Sequence, residues 1–420
     1  MLEGSSIYLK IKNSRFNMDN SELKKLCLSL ARAESEAEVV KILEKTKLWQ
    51  DDSAWKSIDE STGNWSTIGN QQSAPDTALV EKIINSVDAV MMRECMREGI
   101  EPSSEKAPKS IAEAQRKYFG IYDGKLSTLD AGARSKLSEN VMLVATGEKS
   151  NPCYSIIDLG EGQSPSSFPD TFLSLNRGNK SKILFVQGKF GMGGTGVFRF
   201  GSHEHNLQLI ISKRDPALAD KFKNTDSDRW GFTVIRRKNA TGQMRSSVFT
   251  YLAPGGNVPS FTEEGLSLLP GEYPDMCVAK LKHGSFIKIY EYELTGLKTN
   301  VLFDLYNRLS TLVPEIALPL RMFERRPGYR GHSFETTMSG LSVRLDEDKK
   351  ENLEEGYPSS GELTVKGESM DFLIYAFRKG AREKYARNEG IIFSVNGQAH
   401  GFLPKGFFDR KTVKNVISVR

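Results

Sequence analysis

The chain has 420 residues, 26% of them charged and 38% hydrophobic, with a formal net charge of +5. That balance suits a globular protein of two or three domains, each able to bury a core of its own. It excludes a membrane-spanning helix, because no run of about eighteen apolar residues occurs. The N-terminal stretch MLEGSSIYLKIKNSRF lacks the charged-then-apolar order of a secretory signal. Cys27, Cys95, Cys153 and Cys277 lie far apart with no CxxC pair, so they read as reduced thiols of a cytoplasmic protein.

In chain order, residues 21–48 predict two short helices, the first capped by Ser21 with Lys24 in place of the usual Glu, its stripe formed by Leu23, Leu26 and Leu30. A polar, turn-rich connection carrying Trp55 and Trp65 leads to an amphipathic helix over 78–92. Residues 99–140 read as an insertion, with a helix at IAEAQRKYF and another within LDAGARSKLSENV. YSIIDLGEG predicts a buried strand ending in a glycine turn, and KILFVQGKF another strand before GMGGTG. LQLIISKR, WGFTVIRRK, SSVFTYL and GSFIKIYEYEL are strand-like. A helix follows up to Pro314, then strands at ELTVKG, MDFLIYAFR and GIIFSVNGQ. The pattern change near 295–315 predicts a domain boundary there.

The helix over 78–92 carries Glu81, Asn85 and Asp88 four and then three residues apart, hence on one stripe beside apolar Leu79, Ile83, Ile84 and Val87. Such a stripe is either a solvated face or a mount for chemistry. GMGGTG (Gly191, Gly193, Gly194, Gly196) satisfies G-x-G-x-x-G, and Asp215 follows nineteen residues after Gly196, as in a Rossmann dinucleotide (NAD) site. The segment VFRFGSHEHN makes a poor crossover helix, however, and that reading leaves Glu81, Asn85 and Asp88 without a role. No Walker A motif is present. His203 and His205 in SHEH form a two-ligand pair with no third ligand in view, which favours an edge over a zinc site.

Taken together, four segments are more specific: EKIINSVDA, DLGEG (Asp158, Gly160, Gly162), GKFGMGGTG from Gly188, and HGSFIKI with Ser285. In this order they resemble the GHKL ATPase superfamily of gyrase-type topoisomerases, the ninety-kilodalton heat-shock chaperone, histidine kinases and MutL, across roughly residues 65–295. The helical preface with NWSTIGNQQSAPDTALVEKIINSVDAV is most similar to bacterial MORC- and MutL-type ATPases of restriction and anti-phage systems. The resemblance implies an α+β fold of Bergerat type, an α/β sandwich with helices on one face of a mixed, mostly antiparallel sheet. It also implies three parts: a preface over 1–64, an ATP-binding domain over 65–298 with the 99–140 insertion, and a transducer-like α/β domain over 299–420.

ATP and Mg²⁺ are the implied ligands. Glu81 would be the general base that prepares the attacking water, Asn85 would give a neutral oxygen to Mg²⁺, and Asp88 would cap the same wall. Asp158 would accept from the adenine amino group, with Gly160 and Gly162 letting backbone pass close, and Ser285 would stand where the family has Thr. Gly188, Gly191, Gly193, Gly194 and Gly196 would hold phosphates at a lid, and Asn176 and Lys180 in SLNRGNKSK are further phosphate-side candidates. GIIFSVNGQAHG resembles a strand-turn of the transducer domain, with Lys405 as a candidate sensor. Ordinary alternatives stand beside each residue: Asp158 as a turn starter, the glycines as bulges, Glu81 as an exposed helix residue.

Departures from the family pattern are the 73 residues between Asn85 and Asp158, which point to the insertion, and Ser285 for Thr. No phosphoacceptor-type histidine helix precedes the domain, which argues against a two-component kinase. Hydrolysis driving an ATP-gated homodimer in a DNA-directed or anti-phage defence system is one expectation. A nucleotide-gated binding module and a chaperone-like ATPase are others, and an NAD-dependent enzyme is the remote one. The basic runs Arg321, Arg325, Arg326, Arg330 and Arg378, Lys379, Arg382, Lys384, Arg387 fit either a polyanion such as DNA or a solvated, salt-bridged surface.

Overall fold

A computed structural model of the chain describes residues 18–60, 64–71, 74–175, 180–188, 195–202, 204–240, 246–297, 299–331, 333–381 and 389–407. The expected site residues Asn176, Gly191, Gly193 and Gly194, and the side chain of Lys405, lie outside the described residues.

The preface contains helices α1 (Asn20–Arg32) and α2 (Glu36–Lys45). The cap of α1 is Asp19, not Ser21: its side chain accepts from the Glu22 N–H at 2.9 Å while Glu22 Oε2 accepts from the Asp19 N–H at 2.9 Å. A reciprocal box of this kind satisfies two helix-end donors at once, which a lone Ser cannot. Next come β1 (Trp55–Ser57), α3 (Asn64–Gln71) and the long α4 (Pro75–Arg97), which starts with Pro at its first position, where no N–H is needed. The 99–140 insertion holds α5 (Ile111–Phe119) and α6 (Ala131–Leu137).

The sheet strands follow: β2 (Val141–Gly147), β3 (Pro152–Asp158), β4 (Gln208–Lys213), β5 (Arg229–Lys238), β6 (Val248–Leu252) and β7 (Ser260–Thr262). After the small hairpin β8 (Leu266–Leu269) and β9 (Ala279–Leu281) come β10 (Gly284–Ile289), α7 (Asp304–Leu312), β11 (Leu320–Glu324) and β12 (Glu335–Met338). The chain then passes through α8 (Gly340–Val343) into two hairpins, β13 (Ser359–Val365) with β14 (Glu368–Ile374), and β15 (Gly390–Val395) with β16 (Gln398–Pro404).

The fold is α+β around a ten-stranded mixed sheet ordered β1-β6-β5-β4-β10-β3-β2-β11-β12, with β7 beside β5. Its pairings are antiparallel except for β2 with β11. A doubly wound Rossmann domain needs a mostly parallel sheet. The sheet is therefore not the Rossmann fold that the dinucleotide alternative requires.

Two cores flank this sheet. On one face α4 buries Val80, Ile83, Ile84, Val87, Val90 and Met91 against Leu143, Tyr154, Ile156 and Ile287. On the other, Leu26, Leu30, Val39 and Leu43 of α1 and α2 pack with Val144, Ile157, Ile211 and Phe232. Helices thus cover both faces, α4 the one and the preface helices α1 and α2 the other. The cause is legible in β2 and β3, where every residue from Val141 to Thr146 and from Pro152 to Asp158 is buried, so neither face tolerates water.

The boundary expected at 298/299 does not divide this sheet. Arg321 to Glu324 of β11 pair with Met142 to Ala145 of β2, and Leu305 and Leu309 of α7 lie in the α4-side core. Among the described residues, the part after β12 has a separate small core, of Leu341, Leu345, Leu353, Tyr375 and Ile392. The segment KILFVQGKF is the other departure. Its described residues form no strand, although Phe185 and Val186 are buried, because the following N–H groups bond to Asp88 instead of a neighbouring strand.

Among the described residues no helix is long and apolar enough to cross a membrane. The four cysteines are free and buried.

Candidate functional site

A helix and two strand ends meet at one cavity of about 340 Å³. Helix α4 lines it with two adjacent stripes, Glu81 and Asn85 on one, and Lys82, Ser86 and Ala89 on the next. Asp158 ends β3 and Ser285 opens β10, and the antiparallel register places them directly opposite each other. Ser285 in turn faces Ser212 of β4, with the two hydroxyl oxygens 3.1 Å apart. Asp158, Ser285 and Ser212 therefore form a polar row across three central strands. Carboxylate, amide and second carboxylate share one cavity, as the sequence pattern requires.

Asp158 is 3% exposed. Burial pushes its carboxyl up to about 7, against the Gly160 N–H, which donates to Oδ1 at 2.9 Å, and the Ser86 hydroxyl, which also bonds to it. Two further features fix the turn after β3. The Arg93 guanidinium donates to the Leu159 carbonyl, and the Glu161 N–H donates to the Ala89 carbonyl at 3.2 Å. Gly160 sits so near α4 that a Cβ would lie 2.6 Å from that of Ala89. Gly162 has φ +62°, and a Cβ there would strike the Lys213 carbonyl, so only glycine fits. Glu161 is buried too; burial raises its carboxyl, and Arg214 at 3.2 Å opposes that.

Asp88 does not face the cavity. It is fully buried, accepting from the Gln187 N–H at 2.7 Å, the Gly188 N–H at 3.1 Å and the Lys180 ammonium at 2.9 Å. It anchors the 180–188 segment instead of capping the wall. Gly188 is needed for this approach, since a Cβ would come within 2.9 Å of the Asp88 carboxylate. Gly196 is buried at the head of a short 3-10 turn, Gly196–Phe200, where a Rossmann fold would place a helix. Gln187 has a second bond set: its side chain donates to the carbonyls of Glu315 at 2.7 Å and Asn396 at 2.8 Å. Asn396 and Gly397, at φ 50° and 74°, make the tight β15–β16 turn. The far hairpin is thus tied to the segment that Asp88 holds.

Lys180, a cavity residue, also donates to Asn85 Oδ1 at 2.8 Å. Asn85 therefore does not offer an idle oxygen; an ammonium already rests between it and Asp88. That geometry fits a cation, and neutral amide plus carboxylate oxygens are the donors Mg²⁺ takes. Sequence reasoning missed Ser86, Ser212 and Gln187, whose roles come from partners on other elements. It also missed the apolar wall of Met92, Met96 and Phe172, and Glu101, Pro102 and Ser103, which bring the insertion to the cavity rim.

Other sequence candidates are placed elsewhere. Asp215 is buried against Arg97, with Nη2 at 2.7 Å, and accepts from the Ala217 N–H at 2.8 Å; it does not line the cavity. The first basic run divides: Arg330 is exposed and Arg321 half-buried, whereas its two middle arginines are taken into the fold. Arg325 and Arg326 are buried, Arg326 pairs with Glu324 at 2.7 Å, and Arg321 pairs with Glu335 at 2.6 Å. Of the second run, Arg378 bonds to the Leu353 carbonyl at 2.7 Å, and Arg382, Lys384 and Arg387 lie outside the described residues, as does His203. His205 and Glu204 gain a third neighbour in Glu36, their ligand-type atoms lying within 4.8 Å of one another. Glu36 Oε2 is already engaged by the Ser202 hydroxyl and the His205 N–H, so the group reads as an anchor for α2.

No protein-family model matches the chain, and no curated protein matches it.

Proposed function

We propose that this protein binds Mg·ATP in the α4 cavity and hydrolyses it, as a GHKL-type ATPase. The observation that carries the reading is convergence: Glu81 and Asn85 from one helix, and Asp158 and Ser285 from two paired strand ends, border one cavity. Its volume of about 340 Å³ lies within the range of small-molecule sites. In this reading Asp158, backed by Ser86 and Ser285, takes the purine amino group, while Met92, Met96 and Phe172 cover the ring faces. Asn85 would hold Mg²⁺, which when bound offsets phosphate charge, and Lys180 would turn to the phosphates. Glu81 accepts a proton from water as the water oxygen bonds to the γ-phosphorus and the bridging oxygen leaves with ADP.

Dimerisation on ATP belongs to the same proposal. The Gln187 bonds to Asn396 and Glu315 support it, since they give the site a mechanical link to the β15–β16 hairpin. Service to a DNA-directed or defence system remains a proposal to which the first basic run lends little, since Arg321, Arg325 and Arg326 are engaged within the fold and Arg330 alone is exposed. A nucleotide-gated module without productive turnover is the second reading, favoured by the present engagement of Asn85 with Lys180.

A thermal-shift titration tests binding. Wild-type protein with Mg·ATP at a hundred times its Kd is expected to gain about 2.7 kcal/mol, seen as a rise of a few degrees in Tm. NADH should give no shift. A shift with NADH and none with ATP would overturn the proposal.

A further inference from the structure

Lys82 is the one member of the cavity-lining helix face whose presence the fold does not explain. It begins the stripe Lys82, Ser86, Ala89, Arg93 at four-, three- and four-residue spacing. The other three each meet the end of β3: Ser86 bonds to Asp158, Ala89 packs under Gly160, and Arg93 caps the Leu159 carbonyl. Lys82 reaches no such partner. Its side chain is buried at 4% exposure, lines the cavity, and among the described residues makes no hydrogen bond or ion pair. Its nearest company is the face of Phe198, with Nζ 5.4 Å from the ring centroid, and the neighbouring carboxylate of Glu81.

A buried ammonium without hydrogen-bond acceptors is costly, because several kcal/mol of hydration are given up. Its cation–π contact returns only about 0.5–2 kcal/mol. The tension shows in its acidity: burial lowers the ammonium to about 8, with Glu81 holding it up, so it still carries its charge at neutral pH. A methionine or leucine would pack the same space at less cost. The charge is therefore explained by something that enters the cavity, and that something is anionic.

Position narrows the anion. Lys82 lies four residues before Ser86, about 6 Å along the helix axis from the purine-side residues. It stands on the turn shared with Glu81 and Asn85, on the cavity wall beside Thr195 and the buried Gly196–Phe200 turn. We propose that Lys82 is a phosphate-binding residue, whose ammonium meets the polyphosphate chain of the bound nucleotide. This deepens the ATP reading and rests on it. It also assigns the turn before Ser86 to phosphates and leaves the purine to Asp158.

The test compares wild-type and Lys82→Met protein by calorimetry with Mg·ATP, ADP, adenosine and tripolyphosphate. Lys82→Met is expected to melt no lower than wild type, since it removes only the buried charge. Its affinity for ATP and ADP should fall by about tenfold or more, with adenosine binding unchanged. Equal weakening of ATP and adenosine, or no weakening of either, overturns the proposal while leaving the ATP reading intact. So does a Lys82→Met protein that melts far below wild type, because the ammonium would then serve the fold. If wild-type protein binds no adenine nucleotide, the ATP reading fails, and tripolyphosphate alone decides Lys82: binding lost in Lys82→Met supports it, and no binding by wild type overturns it.

Discussion

Asp158→Asn is expected to lose ATP binding and yet to make the empty protein more stable above pH 7. The two effects have one cause. Burial holds the Asp158 carboxyl near 7 in the folded protein, against 3.8 for the ordinary group. The folded state thus binds this proton more tightly than the unfolded chain does. As pH rises from about 4 to about 7, the empty protein loses stability, because the unfolded chain ionises Asp158 freely and the folded one resists. That penalty amounts to at most roughly 4 kcal/mol from three pKa units, and an asparagine does not incur it. Part of the gain is offset, since the amide must still satisfy the Gly160 N–H and the Ser86 hydroxyl.

For the ligand the substitution is severe. A carboxylate offers only acceptors, whereas an asparagine bonded to Gly160 through its oxygen turns an NH₂ toward the purine amino group. Two donors then face each other in a dry site, a mismatch of the kind that costs a factor of a hundred or more, on the order of 3 kcal/mol. Melting curves at pH 6, 7 and 8, with and without Mg·ATP, check both halves. A variant less stable than wild type at pH 8 would show that the carboxylate is well solvated or paired, contrary to its burial. Undiminished ATP affinity would remove Asp158 from the purine site.

Glu81→Ala separates chemistry from binding. Loss of a general base lowers turnover by about 10² to 10⁴-fold. Glu81 lines the cavity and in this reading acts on the attacking water, not on the purine, so nucleotide affinity should change by no more than a few fold and the ATP-dependent dimer should persist. Phosphate release and sedimentation with and without Mg·ATP give the two readouts. Unchanged turnover would remove Glu81 as the general base, and loss of the dimer together with turnover would place Glu81 in the structure of the site.

Much of the fold is legible from local pattern. The helix at IAEAQRKYF and the strands β3, β4, β5 and β10 follow directly from periodicity and β-branched content. What local pattern could not carry is competition between partners far apart in sequence. Residues 182–188 have the composition of a strand, but the N–H groups of Gln187 and Gly188 are claimed by Asp88, about a hundred residues earlier. Asp19 outdoes Ser21 as a cap only because Glu22 answers it. Arg325 and Arg326 look like a basic surface until Glu324, buried on the same strand end, is seen to face Arg326.

The site shows the same division. Glu81, Asn85 and Asp158 are brought together, as helical spacing and the glycine turn suggest, whereas Asp88 shares their stripe in sequence yet turns behind the cavity. A stripe defines a direction to within a helical face, not which side of a packed segment each residue reaches. Lys180 shows the limit from the other direction: its motif was visible, but not that it would hold Asn85 and Asp88 at once.

The most direct test is a crystal structure with Mg²⁺ and a non-hydrolysable ATP analogue. It should show the purine edge on Asp158 and Ser285, with the phosphates running along α4 toward Asn85 and Glu81. A nucleotide bound elsewhere, or a purine edge out of reach of Asp158, would contradict the account.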